Sequence, residues 1–118
     1  MPRIDFNCDL GEGCGDDAAI VPWITSASIA CGAHAGDDDT MRATLRLCRA
    51  HGVAAGAHPG YADRGHFGRR ELALAARELH ALLEAPLQRI GASNGRTVCA
   101  WPPTWVSPTM LSNWRSPR

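Results

Sequence analysis

Residues 56–61 read Gly-Ala-His-Pro-Gly-Tyr, and two earlier stretches share their layout: residues 7–12 (Asn-Cys-Asp-Leu-Gly-Glu) and residues 30–37 (Ala-Cys-Gly-Ala-His-Ala-Gly-Asp). Each stretch places Asp, Glu or His where an apolar run gives way to glycine. This is the pattern of a buried parallel strand that ends in a loop, and such strand ends form the active sites of α/β proteins. The three stretches therefore predict one site built from successive βα units.

The sequence around these stretches predicts alternating strands and helices. We expect strands over residues 3–8, 26–31 and 53–57, and helices over residues 18–23, 37–52 and 71–83. This order predicts an α/β fold, a parallel sheet with helices packed outside it, either open or closed into a barrel. A closed (β/α) barrel takes roughly 250 residues, so the 118-residue chain matches only the first part of one.

Charge divides the chain near residue 84. Residues 1–84 carry eight arginines and twelve acidic residues, whereas residues 85–118 carry four arginines and no acidic residue. The second segment also holds three of the four tryptophans, without helical or strand periodicity at its end. We therefore expect residues 1–84 to be the N-terminal part of a barrel domain. We expect residues 85–118 to form an irregular tail, and three explanations stay open: disorder, a translated frame error or fusion scar, or a Pro/Trp recognition segment.

Composition excludes several classes of protein. The formal net charge is zero and lysine is absent, so no basic stripe indicates nucleic-acid binding. No apolar run is long enough to span a bilayer, and the first residues do not form an apolar signal segment. Five cysteines, an odd number without a C-x-x-C pair, indicate free thiols. We expect a cytoplasmic protein with no membrane or nucleic-acid partner.

Three carboxylates and two histidines are the candidate site residues. Asp9 and Glu12 lie three apart in one loop, where paired carboxylates can share a proton, orient a water or hold a cation. The alternative is that Asp9 caps a turn and Glu12 is solvated. His34 lies between a strand end and a helix start, with Asp37 near enough in sequence to orient its ring or to cap the helix. His58 precedes a proline, which favours extended backbone and directs the ring out of the strand end.

The remaining histidines give weaker signals. His51 and His80 fall on predicted helices, and we expect both at the surface. His66 lies in the basic, glycine-rich loop 64–70, which is either a mobile flap that touches an anionic substrate or an ordinary solvated loop.

A divalent metal is a second interpretation of the strand ends. Asp9, His34 and His58 have the side chains that bind divalent cations, although their spacing matches no local zinc motif.

The three stretches, together with residues 67–69 (Phe-Gly-Arg), resemble the LamB/YcsF family over roughly residues 3–80. The resemblance implies a (β/α)-barrel-like fold of the glycoside hydrolase/deacetylase type. It also implies ATP-dependent opening of 5-oxoproline to L-glutamate, as the A subunit of a 5-oxoprolinase that acts with the B and C subunits. Asp9, Glu12, His34, Asp37 and His58 match the family pattern and are the implied catalytic residues.

The chain also departs from that family. It lacks the downstream Lys-Pro-His-Gly-Ala-Leu segment and any Walker-type phosphate loop, so ATP must be handled by other subunits or segments. Two alternatives therefore stay open: a non-catalytic remnant or binding module, and a metal-dependent deacetylase-like hydrolase. We expect the chain alone to be inactive and poorly stable, because an incomplete barrel leaves an unpaired strand edge.

Overall fold

The computed structural model describes residues 4–94, and within them a parallel sheet carries the fold. Its strands are β1 (Asn7–Leu10), β2 (Ser26–Ala30) and β3 (Ala54–His58), in the order β1-β2-β3. Asp9 is in register with Ser28, which in turn pairs with a residue of β3. Because all three strands run the same way, their carboxyl ends meet at one edge of the sheet.

Three α-helices accompany the sheet in the described part of the chain: α1 (Asp17–Ile20), α2 (Asp38–Ala50) and α3 (Ala76–Asn94). Short 3-10 turns follow α1, at Val21–Trp23, and β3, at Arg64–His66. The α/β class and the parallel sheet are therefore confirmed. Within the described residues β1 and β3 each have a single neighbouring strand, so the barrel stays a prediction.

The first strand begins later than predicted. Pairing starts at residue 7 rather than residue 3, and the side chains of Ile4 and Phe6 are 80% and 65% exposed. The alternating apolar residues that suggested an early strand therefore do not face the core. Leu10 does so instead, because the strand continues two residues beyond the predicted end and buries that side chain completely.

Helix α2 closely matches its prediction. The carboxylate of Asp37 accepts a hydrogen bond from the backbone N–H of Thr40 at 2.7 Å, which caps the helix N-terminus. Met41, Leu45 and Cys48 are buried on one face, whereas the helix arginines are exposed on the other. This helix packs on β2 and β3, which carry much of the apolar core.

Helix α3 differs most from expectation. It begins at Ala76, where the Glu78 carboxylate accepts the N–H of Ala75 at 2.8 Å, as in half of a capping box. It continues through Pro86 to Asn94, so the predicted division at residue 84 falls inside a helix and residues 85–94 are helical, not irregular. The helix continues because Ile90 is completely buried in the core. Predictions for residues 95–118 lie outside the described residues.

Two further predictions concern the described residues. Cys8, Cys14, Cys31 and Cys48 are all free, as expected; Cys99 lies beyond the described range. Across residues 4–94, no helix combines the length and apolar character that a membrane crossing requires.

Candidate functional site

A cavity of about 630 Å³ opens at the carboxyl ends of the strands. Asp9, Glu12, His34 and His58, which the sequence placed at three separate strand ends, all line it. Asp37 does not line this cavity, because it lies at the N-terminus of α2. The topology therefore brings four of the five predicted site residues together.

Glu12, His34 and His58 form a tight group, which we call the Glu–His cluster. One Glu12 carboxylate oxygen lies 3.7 Å from Nε2 of His34 and 3.6 Å from Nδ1 of His58. The two imidazole rings are 4.7 Å apart between centroids. Asp9 lies at the margin of the cluster, 3.8 Å from Nδ1 of His58 and 55% exposed. Glu12 is therefore the carboxylate shared by both histidines.

The turn after β1 brings Glu12 over the sheet edge. Gly11 has a φ of +72°, a conformation that glycine adopts without strain, and its N–H donates to the Asp17 carboxylate at 2.9 Å. A Cβ on Gly36, in the loop after β2, would collide with the Gly11 carbonyl oxygen. The loops after β1 and β2 thus pack backbone against backbone, which sets Glu12 beside His34.

His34 is held by packing. A Cβ on Gly68 would lie 2.5 Å from the His34 Cβ, and one on Gly60 would lie 2.7 Å from its Cγ. The ring of Phe67 meets the His34 ring edge-on, with centroids 5.5 Å apart. The side chain of His34 is only 2% exposed. These neighbours leave the imidazole little freedom to move.

Burial sets the protonation of the cluster. Burial raises the pKa of Glu12, and the nearby His58 lowers it in part. Burial also lowers the pKa of His34, and the neighbouring His58 lowers it further. Near neutral pH the cluster therefore combines a neutral imidazole with a carboxyl group that accepts a proton more readily than usual.

Three buried ring nitrogens of the cluster have no hydrogen-bond partner within the described residues: both nitrogens of His34 and Nδ1 of His58. Buried polar groups are rarely left unpaired, and those that are commonly face a ligand or water. The nitrogens are thus free to bind a substrate atom, a water or a cation.

The prediction that Asp37 orients the His34 ring is wrong. Within residues 4–94 neither His34 nitrogen accepts or donates a hydrogen bond, and the Asp37 carboxylate instead caps α2 through Thr40. That hydrogen bond lowers the pKa of Asp37. The ring is oriented by glycines and Phe67 from the following βα loop, a contact that no local sequence pattern reveals.

The other histidines lie outside the cluster. His51 follows the last residue of α2 and is exposed, and His80 is 70% exposed beside Glu84 on α3. His66 pairs with Asp63 at 3.1 Å in the loop after β3. The surface positions predicted for His51 and His80 are confirmed.

Several other residues line the cavity, and no sequence pattern had indicated them. Tyr61 follows the His-Pro-Gly turn, and Asn7 lies on β1 two residues before Asp9, hence on the same strand face. Leucines of α3 form an apolar wall: Leu79, Leu82 and Leu83. The sequence predicted that these leucines lie on a helix, but it did not indicate that this helix packs with its leucine face against the strand ends.

The cluster also has a donor set suited to a divalent cation. One ligand atom from each of Glu12, His34 and His58 can be chosen so that all lie within 4.8 Å of one another. Two histidines and one glutamate are a common zinc set, and the unpaired nitrogens are available as ligands. The fit differs from the sequence prediction, which placed Asp9 in this set, because Glu12 lies nearer to both rings.

Comparison with known proteins agrees with this architecture. Residues 4–98 match the model of the LamB/YcsF family. The chain is 46% identical over 98 residues to proteins named as the A subunit of 5-oxoprolinase from Staphylococcus aureus, in the strains bovine RF122 / ET3-1 and MRSA252. Those matches cover 79% of this chain and 38% of each relative, so the chain spans well under half their length.

A solved structure shows the same relationship. The crystal structure of a lactam utilization protein from Thermus thermophilus superimposes with a TM-score of 0.72 at 41% identity. The match covers 77% of this chain and 39% of that one. The family match includes all of α3 and extends past the range over which the sequence motifs were recognised. The chain belongs to the LamB/YcsF family.

Proposed function

We propose that this chain supplies the N-terminal part of the A subunit of a 5-oxoprolinase and contributes the Glu–His cluster to hydrolysis of the lactam ring. The observation that carries the proposal is the cluster itself: one half-buried carboxylate within 3.7 Å of two imidazoles, in a cavity at the strand ends. The names of the relatives, a 5-oxoprolinase component and a lactam utilization protein, supply the substrate class.

The chemistry required of this cluster is proton transfer. An unactivated lactam is a poor electrophile, and ATP-dependent phosphorylation of its carbonyl oxygen, carried out with the B and C subunits, makes the carbonyl carbon reactive. Water then attacks that carbon, and the ring C–N bond breaks as a proton reaches the departing nitrogen. A second water hydrolyses the acyl phosphate that remains, which releases inorganic phosphate and the side-chain carboxylate of glutamate. One group must therefore accept a proton from water and another must donate one.

The two perturbed groups fit these roles. His34 stays neutral near pH 7, since burial lowers its pKa, and so its one unprotonated ring nitrogen, which has no partner within the described residues, can accept a proton from water. Glu12 has a raised pKa, also because of burial, so its protonated form is accessible for donation to nitrogen. His58 and Asp9 complete the polar wall around them.

The donor set favours one second candidate, a metal-dependent hydrolase. Glu12, His34 and His58 would hold the cation, which supplies Lewis acidity and a water of lowered pKa when bound. Metal content measured by mass spectrometry, together with turnover after chelation, separates this candidate from the first.

A chimera tests the proposed function. Residues 4–98 of this chain replace the aligned segment of the A subunit from Staphylococcus aureus, and ATP-dependent glutamate release from 5-oxoproline is measured with the B and C subunits. We expect an active chimera, and a loss of about 100-fold or more in turnover for Glu12→Gln, the usual range for a general acid–base residue. The control His80→Gln should retain turnover.

Two results would contradict the proposal. A folded chimera without turnover would favour a non-catalytic remnant or binding module. An active chimera that tolerates Glu12→Gln would remove the cluster from the chemistry.

A further inference from the structure

We propose that Arg69 is the anion-binding residue of the cavity and fixes the substrate through a carboxylate group. This inference rests on the proposed function, since it gives the cavity a small lactam that carries a carboxylate. It assigns a specificity role to a residue outside the Glu–His cluster.

The loop after β3 carries three arginines with different surroundings. Arg64 donates to the backbone carbonyls of Gly32 and Gly36, and Arg70 pairs with the buried Asp63 carboxylate at 3.0 Å. The guanidinium of Arg69 has no ion pair or hydrogen bond within the described residues, and it lies over the Phe67 ring, 5.8 Å from the ring centroid. Two of these arginines thus stabilise the loop, and the third is available to a ligand.

The loop holds Arg69 beside the cluster. The Gly68 N–H donates to the Asp63 carbonyl at 2.8 Å, and Phe67 and Gly68 both have positive φ values, +57° and +67°. Positive φ is uncommon for a phenylalanine and persists where the surrounding structure fixes it. Since Phe67 and Gly68 both pack on His34, the residue that follows them is placed at the cavity wall.

Charge in the cavity gives an anionic ligand one favourable orientation. Among the described lining residues Arg69 carries the one side chain with a permanent positive charge, while Asp9 and Glu12 line the cavity as well. A carboxylate near those acids would be repelled, whereas a guanidinium can bind it with two parallel hydrogen bonds. The carboxylate therefore binds Arg69, and the uncharged lactam ring is left to face the cluster.

Binding measurements on the chimera described above, with residues 4–98 of this chain in wild-type or substituted form, test this assignment. Affinity is measured by NMR titration for 5-oxoproline against 2-pyrrolidinone, the same ring without a carboxylate. A second pair, cyclopentanecarboxylate against cyclopentanecarboxamide, tests the carboxylate without a lactam. The variants are Arg69→Ala and, as a matched control, Arg77→Ala, an exposed arginine on α3.

We expect the wild-type chimera and Arg77→Ala to prefer both carboxylates by about 10-fold or more, the usual strength of a charged hydrogen-bonded pair. Arg69→Ala should lose that preference while its binding of the neutral partners stays within about 2-fold. A carboxylate preference that survives in Arg69→Ala, or is absent from the wild-type chimera for both pairs, overturns the assignment. An Arg69-dependent preference for cyclopentanecarboxylate without any binding of 5-oxoproline upholds the anion site and contradicts the proposed function.

Discussion

Methyl groups added at Gly60 and Gly68 should destabilise the protein through their contact with His34. A Cβ at Gly60 would lie 2.7 Å from His34 Cγ and 3.0 Å from its Cβ, and one at Gly68 would lie 2.5 Å from His34 Cβ. Real Cβ contacts essentially never fall below 3.0 Å. His34 is buried and bounded on its other sides by Glu12 and Phe67, so it has little room to yield.

The two substitutions differ in their expected size. Overpacking a filled interior costs about 1–3 kcal/mol, which applies to Gly60→Ala because Gly60 lies outside the left-handed backbone region. Gly68 has a φ of +67°, so an alanine there adds about 1–2 kcal/mol of backbone strain. For a domain of this size, each kcal/mol lowers Tm by about 4–8 °C. Gly68→Ala should therefore be the more destabilising of the two.

Two other glycines supply matched controls. Gly15 also lies outside the left-handed region and Gly13 has a φ of +73°, yet a Cβ on either meets nothing within 4 Å. Urea unfolding of all four alanine variants, followed by circular dichroism, isolates the His34 contact as the difference within each pair. If Gly60→Ala unfolds at the same urea concentration as Gly15→Ala, the claim that packing fixes His34 is refuted.

Three further predictions concern single positions. Burial lowers the pKa of His34 in the folded chain, so on acidification the unfolded chain takes up this proton at a higher pH than the folded chain does. The free energy of unfolding should therefore fall as the pH drops below about 6.5. Urea titrations at several pH values should show this dependence weakened in His34→Gln and kept in His80→Gln. Asp37→Ala should cost about 1 kcal/mol by removing the cap of α2, and the chimera should keep most of its turnover. Ile90→Ala should cost about 2–5 kcal/mol in thermal melts, because this completely buried side chain anchors the end of α3, whereas the exposed Gln88→Ala should cost little.

The sequence was informative wherever a local pattern determined the structure. Asp37 begins α2 because a carboxylate before a helix accepts a free N–H, and the spacing of Met41, Leu45 and Cys48 gave its buried face. The parallel order of the strands followed from their separation by helices and loops, and it brought four site residues to one edge.

Long-range packing accounts for what the sequence did not reveal. The end of α3 was missed because a proline and a run without acidic residues resembled a tail, yet burial of Ile90 keeps this part helical. The choice of Glu12 over Asp9 as the shared carboxylate depends on the Gly11 turn and on its contact with the loop after β2. Such contacts join residues far apart in sequence and have no periodic signature.

The Glu–His cluster opposes the stability of the fold, which argues for its role in ligand binding. Burial disfavours the charged forms of both Glu12 and His34, and three buried ring nitrogens have no partner within residues 4–94. Each unpaired buried polar group costs about 1–3 kcal/mol, and apolar side chains of similar size would avoid that loss. The total stability of a domain is on the order of 5–15 kcal/mol, so this cost is a large part of it. Such a cost is expected at a functional site, where a bound ligand pairs with the nitrogens. The glycines that pack against His34 hold its ring in the cavity wall, so local instability and a preorganised site have the same structural origin.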